Sequence, residues 1–132
     1  MALYLDASAL VKLVLPEPET VALEQFLERD RAHASSAIVR VEVMRAAHAN
    51  GSPVVRAQAR EALRRLLVVS LDDGLLDKAA ELEAPLRTLD AIHLVSAELL
   101  GKELKAFVTY DARLFDAAVA AGLPAVAPGR RA

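Results

Sequence analysis

Four acidic residues of this chain lie inside apolar or small-residue stretches, where a carboxylate is costly unless it is paired or bound to a cation. The four are Asp6 after the run LYL, Glu42 in VEV, Asp90 in LDAIH and Asp111 after FVTY. Four such acids favour a single metal site. The chain has no cysteine and only three histidines, which nearly excludes a structural zinc site. Any metal must therefore be held by oxygen, as Mg²⁺ and Mn²⁺ prefer.

Each acid also has a simpler interpretation that the sequence leaves open. Asp6 and Asp111 are placed to cap the helices that follow them. Glu42 has Arg45 one turn along for a surface ion pair. Asp90 is a favourable anion in the first turn of a helix.

Several neighbouring side chains are candidates to support such a site. Ser8 and Thr109 carry hydroxyls close in sequence to Asp6 and Asp111, and Ser8 is able to hold the Asp6 carboxylate. His93 follows Asp90 by three residues, a spacing that suits a ligand pair but is also typical of a histidine packed in a helix. Asp116 is a possible fifth acid that is expected to face solvent.

Three arginines, Arg40, Arg87 and Arg113, lie within a few residues of the acids and are candidates to contact a phosphate. The net charge of −2 does not indicate nucleic-acid binding by itself. It does not forbid it, because carboxylates around a cation no longer act as free anions.

The acids must be positioned by short apolar strands that alternate with helices. We predict strands that start at Leu3 and end at Asp6, and at 32–35, 67–71, 107–110 and 125–126, and helices at about 7–15, 19–31, 38–50, 53–66, 73–82, 89–100 and 112–121. Thr88 is the expected cap of the sixth helix. This alternation predicts an α/β fold with a parallel sheet, whose ligands sit at the carboxyl ends of the strands. Asp6 and Asp111 both lie at such ends.

The length of 132 residues suits a single domain over 1–132 with a short polar tail at about 128–132. No apolar run approaches the roughly 20 residues of a membrane span, and no basic stretch with an apolar run opens the chain. We therefore expect a soluble, cytoplasmic protein.

These residues resemble the PIN-domain ribonucleases of the VapC toxin type. The resemblance rests on four blocks that follow the order of that family, YLDASALVK at 4–12, SSAIVRVEV at 35–43, LRTLDAIHL at 86–94 and FVTYDARL at 107–114. It implies a three-layer α/β/α domain around a parallel sheet of four to five short strands. It also implies that Asp6, Glu42, Asp90 and Asp111 bind Mg²⁺ or Mn²⁺ and cut RNA.

Partners follow from the same resemblance. It implies a cognate antitoxin protein that blocks the acid cleft, and we separately expect a homodimer. Apolar exposure on the early helices, from Leu10, Val11 and Val14 and the face of Phe26, is expected to serve one of these contacts.

Two rival functions remain open. An acid-pocket phosphotransfer domain, such as a phosphatase or receiver, needs a lysine at a later strand end, where this chain has Asp111 instead. An α/β interaction module without catalysis would have no need for four intact acids.

Overall fold

The computed structural model describes residues 1–130 as a five-stranded sheet covered by helices. The strands are β1 (Ala2–Leu5), β2 (His33–Ser36), β3 (Leu67–Val69), β4 (Leu104–Val108) and β5 (Ala125–Val126). The helices are α1 (Ala7–Val14), α2 (Thr20–Leu27), α3 (Val39–Asn50), α4 (Pro53–Arg64), α5 (Asp73–Glu81), α6 (Thr88–Glu98) and α7 (Ala112–Ala120), with a 3-10 turn at Gly101–Glu103.

All strand pairs are parallel, in the order β3-β2-β1-β4-β5. The first strand is therefore the central one, and every residue of Ala2–Leu5 is buried. A short run that is apolar at each position suits a strand covered on both faces. The carboxyl ends of β1 and β4 are neighbours, with Leu5 opposite Val108.

Two apolar layers enclose this sheet. Leu3 and Leu5 point into one layer with α1, α3 and α4. Tyr4 points into the other, where Leu94 of α6 and Leu114 of α7 are buried. The alternation follows from the two-residue period of a strand. The three-layer α/β/α architecture predicted from the resemblance is confirmed.

Polar side chains begin several of the helices as predicted. Oxygens of Asp6, Ser52, Asp72 and Asp111 accept hydrogen bonds from main-chain N–H groups in the first turns of α1, α4, α5 and α7. The prediction for Thr88 was wrong, because it is the first residue of α6 and no side chain caps that helix.

The boundaries of three elements, α2, β4 and β3, were predicted wrongly. Helix α2 ends at Leu27 instead of at Arg31, since the next four residues are all charged and offer no apolar group to pack. His33 Nε2 instead donates to the carbonyls of Leu27 and Asp30, at 3.1 and 2.8 Å. Strand β4 spans Leu104–Val108 instead of 107–110, because the exposed Lys105 hides its start. The strand predicted at 67–71 ends at Val69.

The expected apolar surface on the early helices is also corrected. Leu10 and Val14 are only 2% and 5% exposed and belong to the core. Val11 and Phe26 are half-buried against the same core. These residues therefore offer far less docking surface than the sequence indicated.

The predicted polar tail at 128–132 lies partly outside the described residues. Its first part turns back on the fold, since the Tyr110 hydroxyl donates to the Pro128 carbonyl at 2.7 Å and the Arg130 guanidinium donates to the Tyr110 carbonyl. Within residues 1–130, every helix is too short or too polar to form a membrane span.

Candidate functional site

Asp6 lies at the turn between β1 and α1 and is only 3% exposed. Its Oδ1 accepts hydrogen bonds from the Ser8 hydroxyl at 2.7 Å and from the Ala9 N–H at 3.0 Å. Its Oδ2 accepts from the Thr109 hydroxyl at 2.5 Å. Burial raises the pKa of Asp6, while nearby His93 and these hydrogen bonds oppose that rise.

Ser8 and Thr109 also fix the main chain that follows β4. The Tyr110 N–H donates to the Ser8 hydroxyl at 2.9 Å, and the Asp111 N–H donates to the Thr109 hydroxyl at 3.1 Å. Each hydroxyl therefore accepts from the β4–α7 turn and donates to Asp6. Both supporting residues predicted from the sequence lie beside Asp6, and together they set where Asp111 begins α7.

Asp111 lies at the start of α7, and its Oδ1 accepts from the Leu114 N–H at 3.0 Å. The capping role left open for both Asp6 and Asp111 is therefore real. Capping does not exclude a second role, because each cap uses one carboxylate oxygen and leaves lone pairs on the other.

Asp90 lies in the first turn of α6 and is half-buried. Burial raises its pKa, and the charges of Asp111, Asp6 and Glu42 raise it further, while nearby His93 lowers it. Charges affect one another this way only at short range. Four acids from four separate elements thus share one electrostatic environment at the carboxyl edge of the sheet.

Glu42 reaches this edge from α3 on the other side of the sheet. Its Oε1 lies 2.6 Å from Nε2 of His93. The sequence left open an ion pair of Glu42 with Arg45. Within the described residues, the partner of Glu42 is instead His93. His93 is 1% exposed and its Nδ1 lies 2.7 Å from the Tyr4 hydroxyl. Tyr4 was missed from sequence because no local pattern marks a contact over 89 residues.

The peripheral candidates lie outside this cluster. The arginines Arg40, Arg87 and Arg113 are exposed, and none makes an ion pair with an acid within residues 1–130. Asp116 is exposed, as expected. Within residues 1–130, these four side chains make no ion pair or hydrogen bond with the acid cluster.

The donor set fits Mg²⁺ or Mn²⁺ in its chemistry, since four carboxylates supply only oxygen. The side chains do not, however, form a closed cage. Within the described residues, no three or more His, Asp or Glu side chains meet in a group that could enclose a metal ion. Oxygens of Asp6 and Asp111 are turned toward their own helices. A cation would thus be held by the remaining oxygens together with water, which suits Mg²⁺.

The model of one protein family, the PIN domain, matches residues 3–120. The chain belongs to the PIN domain family. The match includes all four acids, and the resemblance to VapC-type PIN domains is confirmed by the relatives.

One such relative is Ribonuclease VapC46 of Mycobacterium tuberculosis strain H37Rv, which is 45% identical over 128 residues, covering 96% of this chain and 98% of that protein. Among solved structures, a toxin–antitoxin complex from Klebsiella pneumoniae matches with a TM-score of 0.72 and 27% identity, covering 97% of this chain and 98% of that one.

A second structure, the sarcin-ricin loop cleaving toxin VapC20 of M. tuberculosis, matches with a TM-score of 0.71, covering 96% of this chain and 99% of that one. Its identity is 18%, so this likeness concerns the PIN fold alone.

Proposed function

We propose that this PIN domain is a Mg²⁺- or Mn²⁺-dependent endoribonuclease and the toxin of a toxin–antitoxin pair. The observation that carries the proposal is the convergence of the four acids: Thr109 joins Asp6 to the main chain of Asp111, and His93, one turn after Asp90, contacts Glu42. The charges of the other three acids also raise the pKa of Asp90. A cluster of like charges is costly to fold and is typical of a site that binds a cation. The 45% identity to a protein named as a ribonuclease supports RNA as the substrate.

In this proposal Asp6 and Asp90 are direct ligands of the cation. Asp111 binds a second metal or acts through a water, and Glu42 is a ligand or positions the attacking water. Asp6 is the most rigid of the four because Ser8, Ala9 and Thr109 hold its carboxylate. A ligand fixed in this way needs little reorganisation when the cation binds.

A bound Mg²⁺ or Mn²⁺ would polarise the scissile phosphate and lower the pKa of an attacking water. Glu42 orients that water through the carboxylate oxygen that does not contact His93. The water oxygen forms a bond to phosphorus, the bond from phosphorus to the 3′-oxygen breaks, and the 3′-oxygen takes up a proton. The products are a 5′-phosphate and a 3′-hydroxyl, because the RNA 2′-hydroxyl is not the nucleophile.

Exposed guanidinium groups close in sequence to the acids are suited to bind RNA phosphates. We propose this role for Arg40, Arg87 and Arg113, all of them exposed. A cognate antitoxin that covers the acids, a homodimer, a single domain over 1–132 and a cytoplasmic location also stay proposals. The solved toxin–antitoxin complex of similar fold supports the antitoxin.

An RNA cleavage assay with purified protein tests the proposal. We expect cleavage with Mg²⁺ or Mn²⁺, none with a chelator, and products that carry a 5′-phosphate. Asp90→Asn should reduce the rate by at least about 100-fold, since it removes ligand charge with little change in volume. Asp77→Asn, an exposed acid on α5, is the matched control and should cleave normally. Full cleavage by Asp90→Asn would refute the assignment.

A further inference from the structure

Three buried or half-buried side chains form a hydrogen-bonded chain that ends at Glu42, one of the four acids. Tyr4 of β1 contacts His93 Nδ1 at 2.7 Å, and His93 Nε2 contacts Glu42 Oε1 at 2.6 Å. The rings of Tyr4 and His93 meet edge to face, with centroids 5.9 Å apart. Phe107 stacks on the other side of Tyr4 at 5.3 Å. Aromatic packing of this kind leaves the imidazole little freedom to rotate.

The hydrogen-bond partners decide which imidazole nitrogen carries the proton. A carboxylate only accepts, so the short contact to Glu42 requires a hydrogen on Nε2. Burial raises the pKa of Tyr4, so its hydroxyl keeps a hydrogen that needs an acceptor. Within residues 1–130, the hydrogen bond of the Tyr4 hydroxyl that meets the distance and angle of a hydrogen bond is the one to His93 Nδ1, at 2.7 Å, and the hydroxyls of Ser35 and Ser96 donate to main-chain carbonyls. The lone pair of His93 Nδ1 is then the acceptor for Tyr4.

The contact between His93 and Glu42 joins the two helical layers. His93 belongs to α6, whose neighbour Leu94 packs with Tyr4, while Val43 beside Glu42 packs in the opposite layer. Asp90 lies one helical turn before His93 on α6. One side chain thus links the helix that carries Asp90 to the carboxylate of Glu42.

We infer that His93 is a positioning residue that donates from Nε2 to the Glu42 carboxylate, is held at Nδ1 by Tyr4, and so fixes Glu42 relative to Asp90. The inference rests on the proposed nuclease site and adds to it a residue that touches neither RNA nor cation. One oxygen of Glu42 is committed to His93, which leaves the other for water or metal. Partners of this kind orient ligands and tune a site without joining it.

The tautomer can be tested without RNA or metal. Nitrogen-15 NMR of the intact, metal-free protein should show His93 with hydrogen on Nε2 alone, and exposed His48 provides a tautomer-averaged reference. Tyr4→Phe removes the donor to Nδ1 with almost no change in shape, and should shift the Nδ1 resonance toward that of an acceptor nitrogen without a hydrogen bond, while Nε2 keeps its hydrogen through Glu42. A His93 with hydrogen on Nδ1, or an unchanged spectrum in Tyr4→Phe, would overturn the inference.

The positioning role is tested by replacing His93. Leucine keeps apolar bulk but donates no hydrogen bond, whereas glutamine carries an N–H near the position of Nε2. We expect His93→Leu to weaken Mn²⁺ binding by about 10- to 100-fold and to lower kcat for RNA with little change in KM. His93→Gln should recover most of both losses, which packing alone would not explain.

Wild-type Mn²⁺ affinity in a folded His93→Leu protein, or no recovery in His93→Gln, would refute the positioning role. If His93→Leu does not fold, the Mn²⁺ affinity of His93→Gln is compared with that of the parent protein. An affinity close to that of the parent supports the positioning role, and a loss of about 10-fold or more refutes it. Failure of the nuclease proposal would look different, because RNA would stay intact in the parent protein while the NMR spectrum kept the expected tautomer.

Discussion

Two clusters of charge in this protein are built in opposite ways. In the first cluster, Lys12 donates to Glu17 at 2.7 Å and to Glu19 at 2.8 Å, and its ammonium group lies 4.7 Å from the centre of the Tyr110 ring. Burial alone lowers the pKa of Lys12, but hydrogen bonds to both glutamates raise it overall. This cluster contains its own counter-charges.

The second cluster is formed by the acids Asp6, Glu42, Asp90 and Asp111. Within residues 1–130, none of them has a lysine or arginine as an ion-pair partner. Asp90 instead feels three like charges. A chain that pairs Lys12 so closely can evidently compensate a buried charge where only stability is required. The uncompensated cluster is therefore the one in which we expect charge to be supplied from outside.

The largest difference between the clusters should appear when a divalent cation is added. A cation binds the folded acid cluster and not the unfolded chain, so Mn²⁺ at a hundredfold excess over its Kd should stabilise the protein by about 2.7 kcal/mol. Thermal unfolding at increasing Mn²⁺ measures this, and Ca²⁺ should be less effective. Asp90→Asn should flatten the response, whereas Lys12→Met should respond as the parent does. An undiminished response in Asp90→Asn would mean that the acids do not form one site.

Removing the positive charge of Lys12 should lower the stability of the protein, by somewhat less than Mn²⁺ raises it. Lys12→Met keeps much of the apolar contact with Tyr110 but leaves two carboxylates unpaired, and should lower the free energy of unfolding by about 2 kcal/mol. Urea denaturation measures the change. Lys105→Met breaks an exposed ion pair with Asp30 and should cost less than about 1 kcal/mol. Equal losses in the free energy of unfolding of both variants would mean that the ion pairs of Lys12 stabilise the protein no more than an exposed ion pair does.

The smallest expected effect is the pH dependence of the metal-free protein. The pKa of Asp90 is raised in the folded state, so the folded protein binds a proton more tightly than the unfolded chain. Stability should then increase as the pH falls through the raised pKa, and the gain should be complete near the ordinary value of about 3.9.

Asp90→Asn provides the control for this titration. It should raise the metal-free melting temperature at pH 7 and reduce the slope with pH, while Asp77→Asn should leave both unchanged. A parent protein with the same dependence of stability on pH as Asp90→Asn would contradict the repulsion inferred for Asp90. Asp90 is a cleaner choice here than Asp6, because replacing Asp6 also disturbs hydrogen bonds from Ser8 and Thr109.

Local patterns were enough to predict the α/β fold, and they single out four acids whose role in a site stays a prediction. Asp6 and Asp111 each follow an apolar strand and begin a helix, so strand order alone brings them to one edge. The boundaries failed where solvent exposure interrupts the pattern, as at Lys105 in β4. The charged end predicted for α2 failed because helical propensity without packing does not hold a helix.

The support beneath the acids was not predictable in the same way. From the sequence, His93 is indistinguishable from an ordinary histidine packed in a helix. Its hydrogen bonds are to Tyr4 and Glu42, which are 89 and 51 residues away. Such contacts depend on which helix faces which strand. Hydrophobic periodicity predicts that a residue is buried, but it does not identify the hydrogen-bond partners of its polar atoms.

The central position of the first strand also has a consequence for biosynthesis. Asp6 leaves the ribosome 103 residues before Thr109, to which it is hydrogen-bonded. Parallel pairing of β1 with β4 is equally non-local, and contacts of this kind form late and slowly. A nascent chain that has not yet reached β4 therefore carries Asp6, Glu42 and Asp90 without Thr109 and Asp111. We expect the proposed nuclease site to assemble only after β4 and the start of α7 have been synthesised.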